Sequence, residues 1–182
     1  MTVRVVPAIG WLRRLDMYRA VRRALAVVLA NHLAFRVVHV SVQNTHIHLL
    51  VEASDRYKLA AGMQGFQISA ARHLNAAVSR RRRVKRSGRV FVDRYHAVDL
   101  GAVWQVRNAL AYVVNNWRKH RDDRGSVRLD PYASRLAFDG WREALPDPPP
   151  SYEAPPVSAP TTWLLAVGWK RARPISVFEL PG

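Results

Sequence analysis

Two apolar, β-branched runs separated by three polar residues constrain this chain more than any other feature. Phe35–Val42, "FRVVHVSV", and residues 46–52, "HIHLLVE", flank Gln43, Asn44 and Thr45. Runs of that length around a short polar break read as an antiparallel hairpin. A lone hairpin is marginal in water, so further strands and helices must cover it. The flanking sequence supplies them. Residues 2–6, "TVRVV", form a short β-branched strand ended by Pro7 and Gly10. Residues 11–30 carry Leu12, Leu15, Tyr18, Val21, Leu25 and Val28 at helical spacing, with arginines between them, which predicts an amphipathic helix with a basic outer face. Residues 59–78 are predicted helical, with few breakers beyond Gly62 and Gly65. Residues 89–100, "RVFVDRYHAVDL", read as a strand pair or one bent strand. Residues 102–120 read as a helix with Val103, Val106, Leu110, Val113 and Trp117 on one face. The order β-α-β-β-α-β-α predicts an α+β sandwich, with helices packed on a mostly antiparallel sheet.

The character changes after that helix. Residues 122–125 read as a turn, and residues 130–141 as a compact segment anchored by aromatics. Seven of the eleven prolines fall in residues 146–160, which predicts an extended linker. The tail from Thr161 is amphipathic and basic enough to dock back on the body. The expected organisation is a body at 1–145, a Pro-rich linker at 146–160 and a basic C-terminal tail at 161–182.

Charge narrows the function. The chain has 29 Lys and Arg against 13 Asp and Glu, a formal charge of +16. Such an excess points to a polyanionic partner, nucleic acid before membrane. The absence of cysteine excludes disulfides and thiolate metal sites. The apolar run "ALAVVLA" at residues 24–30 is far too short to span a bilayer, and residues 1–30 lack a signal-peptide pattern. A cytoplasmic, nucleoid-associated protein without a membrane partner is expected.

Two histidines stand one residue apart within the second run of the hairpin. On a strand, positions i and i+2 share a face, so His46 and His48 project together while Ile47, Leu49 and Val51 point into the apolar layer. That spacing suits two ligands of one metal ion, and equally two imidazoles satisfied by backbone partners. On the helix of residues 102–120, Tyr112 and Asn116 are spaced i, i+4 and share a face beside the apolar stripe. A tyrosine there serves equally well as a packing residue.

Taken together, these stretches resemble a known family. "NTHIHLLVEA" is similar to the His-hydrophobe-His motif of single-tyrosine HUH transposases, and "LAYVVNN" to their tyrosine-bearing helix. "AAGMQGFQISAARHLNAA" and "GRVFVDRYHAV" resemble the following helix and strand region of REP-associated tyrosine transposases, within the IS200-like family. The likeness covers residues 2–120. It implies a ferredoxin-like antiparallel sheet of the HUH type, packed with helices and here followed by a C-terminal extension. It implies His46 and His48 as metal ligands, Asn116 beside them, and Tyr112 as nucleophile. Trp117 stands where members commonly have proline, so the helix is expected to run on. The first strand begins almost at Met1, so no N-terminal DNA-gripping extension is expected.

The implied reaction cleaves single-stranded, often hairpin-bearing DNA through a 5′-phosphotyrosine link and rejoins it. Phenols ionise near pH 10, so a divalent ion on the scissile phosphate is needed to neutralise charge and orient the group. Mg²⁺ or Mn²⁺ is the expected ion. The basic run at residues 79–89, "SRRRRVKRSGR", supplies Arg80, Arg81, Arg82, Arg83, Lys85, Arg86 and Arg89 for phosphates. Arg94, Arg118 and Lys119 lie nearer the site in sequence. Trp104, Trp117 and Tyr95 are candidates for stacking on unpaired bases, although most of them are expected to be core. A monomer with Tyr112 acting in its own chain is favoured over a homodimer. The alternative is a domesticated or decayed copy that binds hairpin nucleic acid without cutting it. A small hydrolase using the histidines alone would need more acidic ligands than lie nearby.

Overall fold

The computed structural model describes residues 1–119 and 130–182. Strands β1 (Thr2–Arg4), β2 (Phe35–Val42) and β3 (His46–Ala53) form an antiparallel sheet in the order β1-β3-β2. The β2–β3 hairpin turns at residues 43–45, where Gln43 N donates to His46 O at 2.9 Å. A bulge between Val37 and His39 rephases β2, so Val37 and Val40 face one core and Val38 the other.

Residues 89–100 form neither the strand pair nor the continuous bent strand expected of them. Only isolated antiparallel bridges occur, Val5 with Phe91 and Thr2 with His96. Val90 and Phe91 are buried, but Asp93 and Arg94 are exposed, and the chain bends between the two bridges. Solvated side chains in mid-run interrupt the ladder. Even so, the segment lies along the outer edge of β1, giving the spatial order of a ferredoxin-like β-α-β-β-α-β unit.

Helix α1 (Leu15–Asn31) starts later than its pattern predicts. A 3-10 turn at Pro7–Ile9 and Gly10 at φ 81° first redirect the chain out of β1, leaving Trp11 and Leu15 exposed. Tyr18, Val21, Leu25 and Val28 are buried as their spacing requires. Helix α2 (Arg56–Arg82) exceeds its pattern at both ends. Asp55 caps it, accepting from Tyr57 N and Lys58 N at 2.8 Å. Its last turn holds Arg80, Arg81 and Arg82, where cations suit the helix dipole. Three of the seven basic residues of the run, Arg80, Arg81 and Arg82, are therefore helical rather than loop.

Both helices cover one face of the sheet. Their buried residues form one core with Val3, Val40, Val42, Ile47 and Leu49. Gly62 makes this approach possible. A Cβ there would lie 2.1 Å from Cγ of Phe35, a ring only 2% exposed. Gly62→Ala should therefore destabilise by about 1–3 kcal/mol through overpacking, although alanine is normally the better helix former by about 1 kcal/mol. Urea unfolding measures the balance, and a stabilised variant would show that Phe35 can yield.

Helix α3 (Val103–Lys119) covers the other face through Val106, Leu110, Val113 and Val114, packed with Val38 and Leu50. It runs past Asn116, and Trp117 is buried in its last turns. His120 and the turn expected at 122–125 lie outside the described residues. Asp130 then pins the returning chain to the body, taking both terminal nitrogens of Arg13 at 2.9 and 3.0 Å. The Pro-rich stretch passes along α1, where Glu153 pairs with Arg19 and Arg22. The tail adds a short helix α4 (Trp163–Ala166) and a 3-10 turn at Gly168–Arg171. It packs on the body through Trp169, Ile175 and the pairing of Glu179 with Arg107, and Lys170 also meets Asp139. Among the described residues no helix is long and apolar enough to cross a membrane.

Candidate active site

The site lies on the sheet face that α3 covers. Strand alternation sends Ile47 and Leu49 into the α1–α2 core, so His46, His48 and Leu50 face α3. The two imidazoles meet edge to face with ring centroids 4.6 Å apart. His48 meets the ring of Tyr112 in the same way, at 4.9 Å. One chain thus brings all three side chains together. His48 is buried, while His46 and Tyr112 are half-buried.

Strand β1 fixes one of these rings. Thr2 lies directly opposite His48 in the ladder, and its hydroxyl is 3.0 Å from His48 Nδ1. A bond at one ring nitrogen sets how the other is presented. His39 provides a structural contrast. It is enclosed beside Ser134 and edge-on to Phe138, and burial pushes its imidazole down to about 4, which keeps it neutral.

Asn116 sits one turn beyond Tyr112 and is fully buried. Neither polar atom of its amide has a hydrogen-bond partner among the described residues. An orphaned amide on the tyrosine helix is the kind of group that ligates an ion or a water. Among the described residues no group of three or more His, Cys, Asp or Glu side chains could hold a metal. Two imidazoles and one amide fit a divalent ion only if water and substrate oxygens complete its shell. Glu52 shares the histidine face, but Thr161 and Thr162 donate four hydrogen bonds to its carboxylate. Burial would raise that carboxyl, yet these bonds outweigh it and hold it below the usual range. Glu52 anchors the tail, so the histidines-only hydrolase gains no acidic ligand from it.

A groove of about 1130 Å³ opens beside the ring cluster. Thr2, His48, His96 and Tyr112 line one end, and Leu100, Arg107 and Leu180 extend it. Lys119 holds its ammonium 5.3 Å from the centre of the Tyr112 ring.

The basic residues divide by what already holds them. Arg81 pairs with Asp16, and Arg82 donates to Ala8 O at 3.3 Å. Arg86 bonds Asn75 and Arg89 O, and Arg89 bonds Phe91 O at 2.7 Å. Arg80, Arg83, Lys85 and Arg94 are exposed, with no partner among the described residues. Arg118 does not face the groove as expected. Its Nε donates to Val177 O at 2.6 Å, and its guanidinium lies over the Trp117 and Phe178 rings. Trp117 is core and cannot stack on a base, and Tyr95 packs against the α1–α2 core. Trp104 remains 59% exposed.

A strand carrying two histidines on one face, met by a tyrosine from a covering helix, is the arrangement that the resemblance to HUH transposases implies. The family described as IS200-like transposases matches residues 16–116, more than half of the chain, and the protein belongs to that family. DNA is therefore its partner and DNA strand processing its class of activity. No curated protein and no solved structure shows a significant match.

Proposed function

We propose that this protein cleaves and rejoins single-stranded, hairpin-bearing DNA through a covalent link to Tyr112. The observation that carries this reading is the contact of Tyr112 with His48, and of His48 with His46, within one chain. In the cleavage step the Tyr112 oxygen forms a bond to phosphorus and the P–O3′ bond breaks. The phenolic proton leaves to solvent and the departing 3′ oxygen gains one. The phosphotyrosyl diester resembles the DNA diester in energy, so attack by the 3′-hydroxyl restores the strand without a nucleotide cofactor.

His46, His48 and Asn116 would hold Mg²⁺ or Mn²⁺. Bound there, the ion would neutralise charge on the phosphate. Thr2 keeps the His48 ring oriented. The contact of Tyr112 with its own chain's histidines supports a monomer acting alone, and a stable dimer in light scattering would overturn it. The charge of +16 would also hold the protein on the nucleoid.

The test is incubation of labelled hairpin DNA with Mg²⁺ or Mn²⁺, followed by a denaturing gel. A protein–DNA band supports the reading. Its absence with every single-stranded substrate would favour a protein that binds hairpins without cutting them. Binding itself should weaken steeply with salt, since each neutralised phosphate adds roughly 0.7 to the log–log slope on single strands. Replacing Arg80, Arg83, Lys85 and Arg94 by alanine should flatten that slope by up to about 3 units. Fluorescence anisotropy across a salt series measures it, and an unchanged slope would return these cations to the status of a solvated surface.

A further inference from the structure

The geometry points to Arg4 as the residue that grips the scissile phosphate, at the end of the histidine pair away from Tyr112. This rests on the reading of His46, His48 and Tyr112 as the cleavage centre. In the β1–β3 ladder Thr2 stands opposite His48, and Arg4 opposite His46. Directly opposed residues of an antiparallel pair share a face, with Cβ atoms about 4.5–5.5 Å apart. The bond between Thr2 and His48 shows which face that is, and Val3 between them is fully buried in the opposite core. Arg4 is therefore the lateral neighbour of His46.

Charge supports the same assignment. Arg13, Arg19, Arg22, Arg81 and Arg107 are committed to carboxylates. Arg4 is exposed and has no acceptor among the described residues. Among the described residues helix α3 packs over β3 and β2, and Thr2 of β1 lines the groove on that side. A planar guanidinium there can take two phosphate oxygens at once. In-line displacement places the leaving oxygen opposite the attacking one. With Tyr112 against His48 and Arg4 beside His46, attack from the tyrosine end sends the 3′ oxygen toward the guanidinium. Arg4 would then offset negative charge as the P–O3′ bond breaks.

The test uses Tyr112→Phe chains, which bind without cleaving, and a single neutral methylphosphonate walked along the strand. On unmodified DNA, Arg4→Gln should weaken binding about tenfold, with no change in thermal midpoint. That loss should vanish when one phosphate is neutral, and this should be the phosphate that wild-type protein joins to Tyr112. Arg4→Lys keeps the charge but not the fork, and should recover binding only in part. A loss that persists wherever the neutral group is placed, or no loss at all, overturns the assignment. If the wild type forms no adduct, the covalent reading is what fails. Arg4 is then judged on the walk alone, where one sensitive position supports it and none overturns it.

Discussion

Tyr112→Phe is expected to eliminate the covalent protein–DNA band while leaving the fold intact. The substitution removes one oxygen and keeps the ring that packs edge-on against His48. The Tyr112 hydroxyl has no hydrogen-bond partner among the described residues, so stability should change by less than about 1 kcal/mol. Cleavage should fall to background, because no other tyrosine among the described residues packs against the histidines. Tyr57 is 69% exposed at the start of α2, and Tyr95 packs against the opposite core. His48→Ala should differ in kind. Activity should drop through weaker ion binding, and excess Mn²⁺ should partly restore it. Asn116→Ala should be milder, since water can fill a neutral ligand's place. A band that persists in Tyr112→Phe would move the chemistry to Tyr95 or Tyr57 and sink the assignment.

The hairpin and the shared face of His46 and His48 were legible because both follow from local periodicity. β2 matched its pattern end to end, and β3 began at His46 as read. The boundaries of α1 and α2 were less legible, because caps and turns decide them. Gly10 delays α1 and Asp55 advances α2, and neither effect appears in an apolar repeat. The register of β1 was not legible at all. A three-residue strand can pair in several ways, and only the fold sets Thr2 and Arg4 beside the histidines.

Two neighbours of the site along the chain turn away from it for one cause. Arg118 and Trp117 adjoin the site along the chain, but they turn toward segments that arrive later. Arg118 reaches the carbonyl of Val177, and Trp117 lies under the guanidinium of Arg135. Proximity in sequence to Tyr112 identified its helix correctly and the direction of its neighbours wrongly. The basic run misled in a milder way. Arginines that look equivalent along the chain separate once Asp16, Ala8 O and Asn75 have claimed some of them.

Trp169→Ala is expected to be among the most destabilising single changes in the molecule, and its reason lies in how α3 is held. The family match ends at residue 116, yet α3 is closed on its outer side by residues far beyond that point. Phe138, Leu165, Trp169 and Ile175 join Val106, Leu110, Val113 and Val114 in one core. Trp169 is 3% exposed, lies 5.1 Å from the Phe138 ring, and leaves no room for a side chain at Gly140. Truncating a buried tryptophan costs about 3–5 kcal/mol. For a chain of this size each kcal/mol lowers the thermal midpoint by about 2–4 °C, so a drop of the order of 10 °C is expected. Trp163, half exposed beneath Arg171 and against Gly168, is the control and should cost much less. Because α3 carries Tyr112, loosening its outer cover should also reduce adduct formation at temperatures where the body is still folded. A shift of only a degree or two would mean that the segment beyond residue 130 rests on α3 without supporting it.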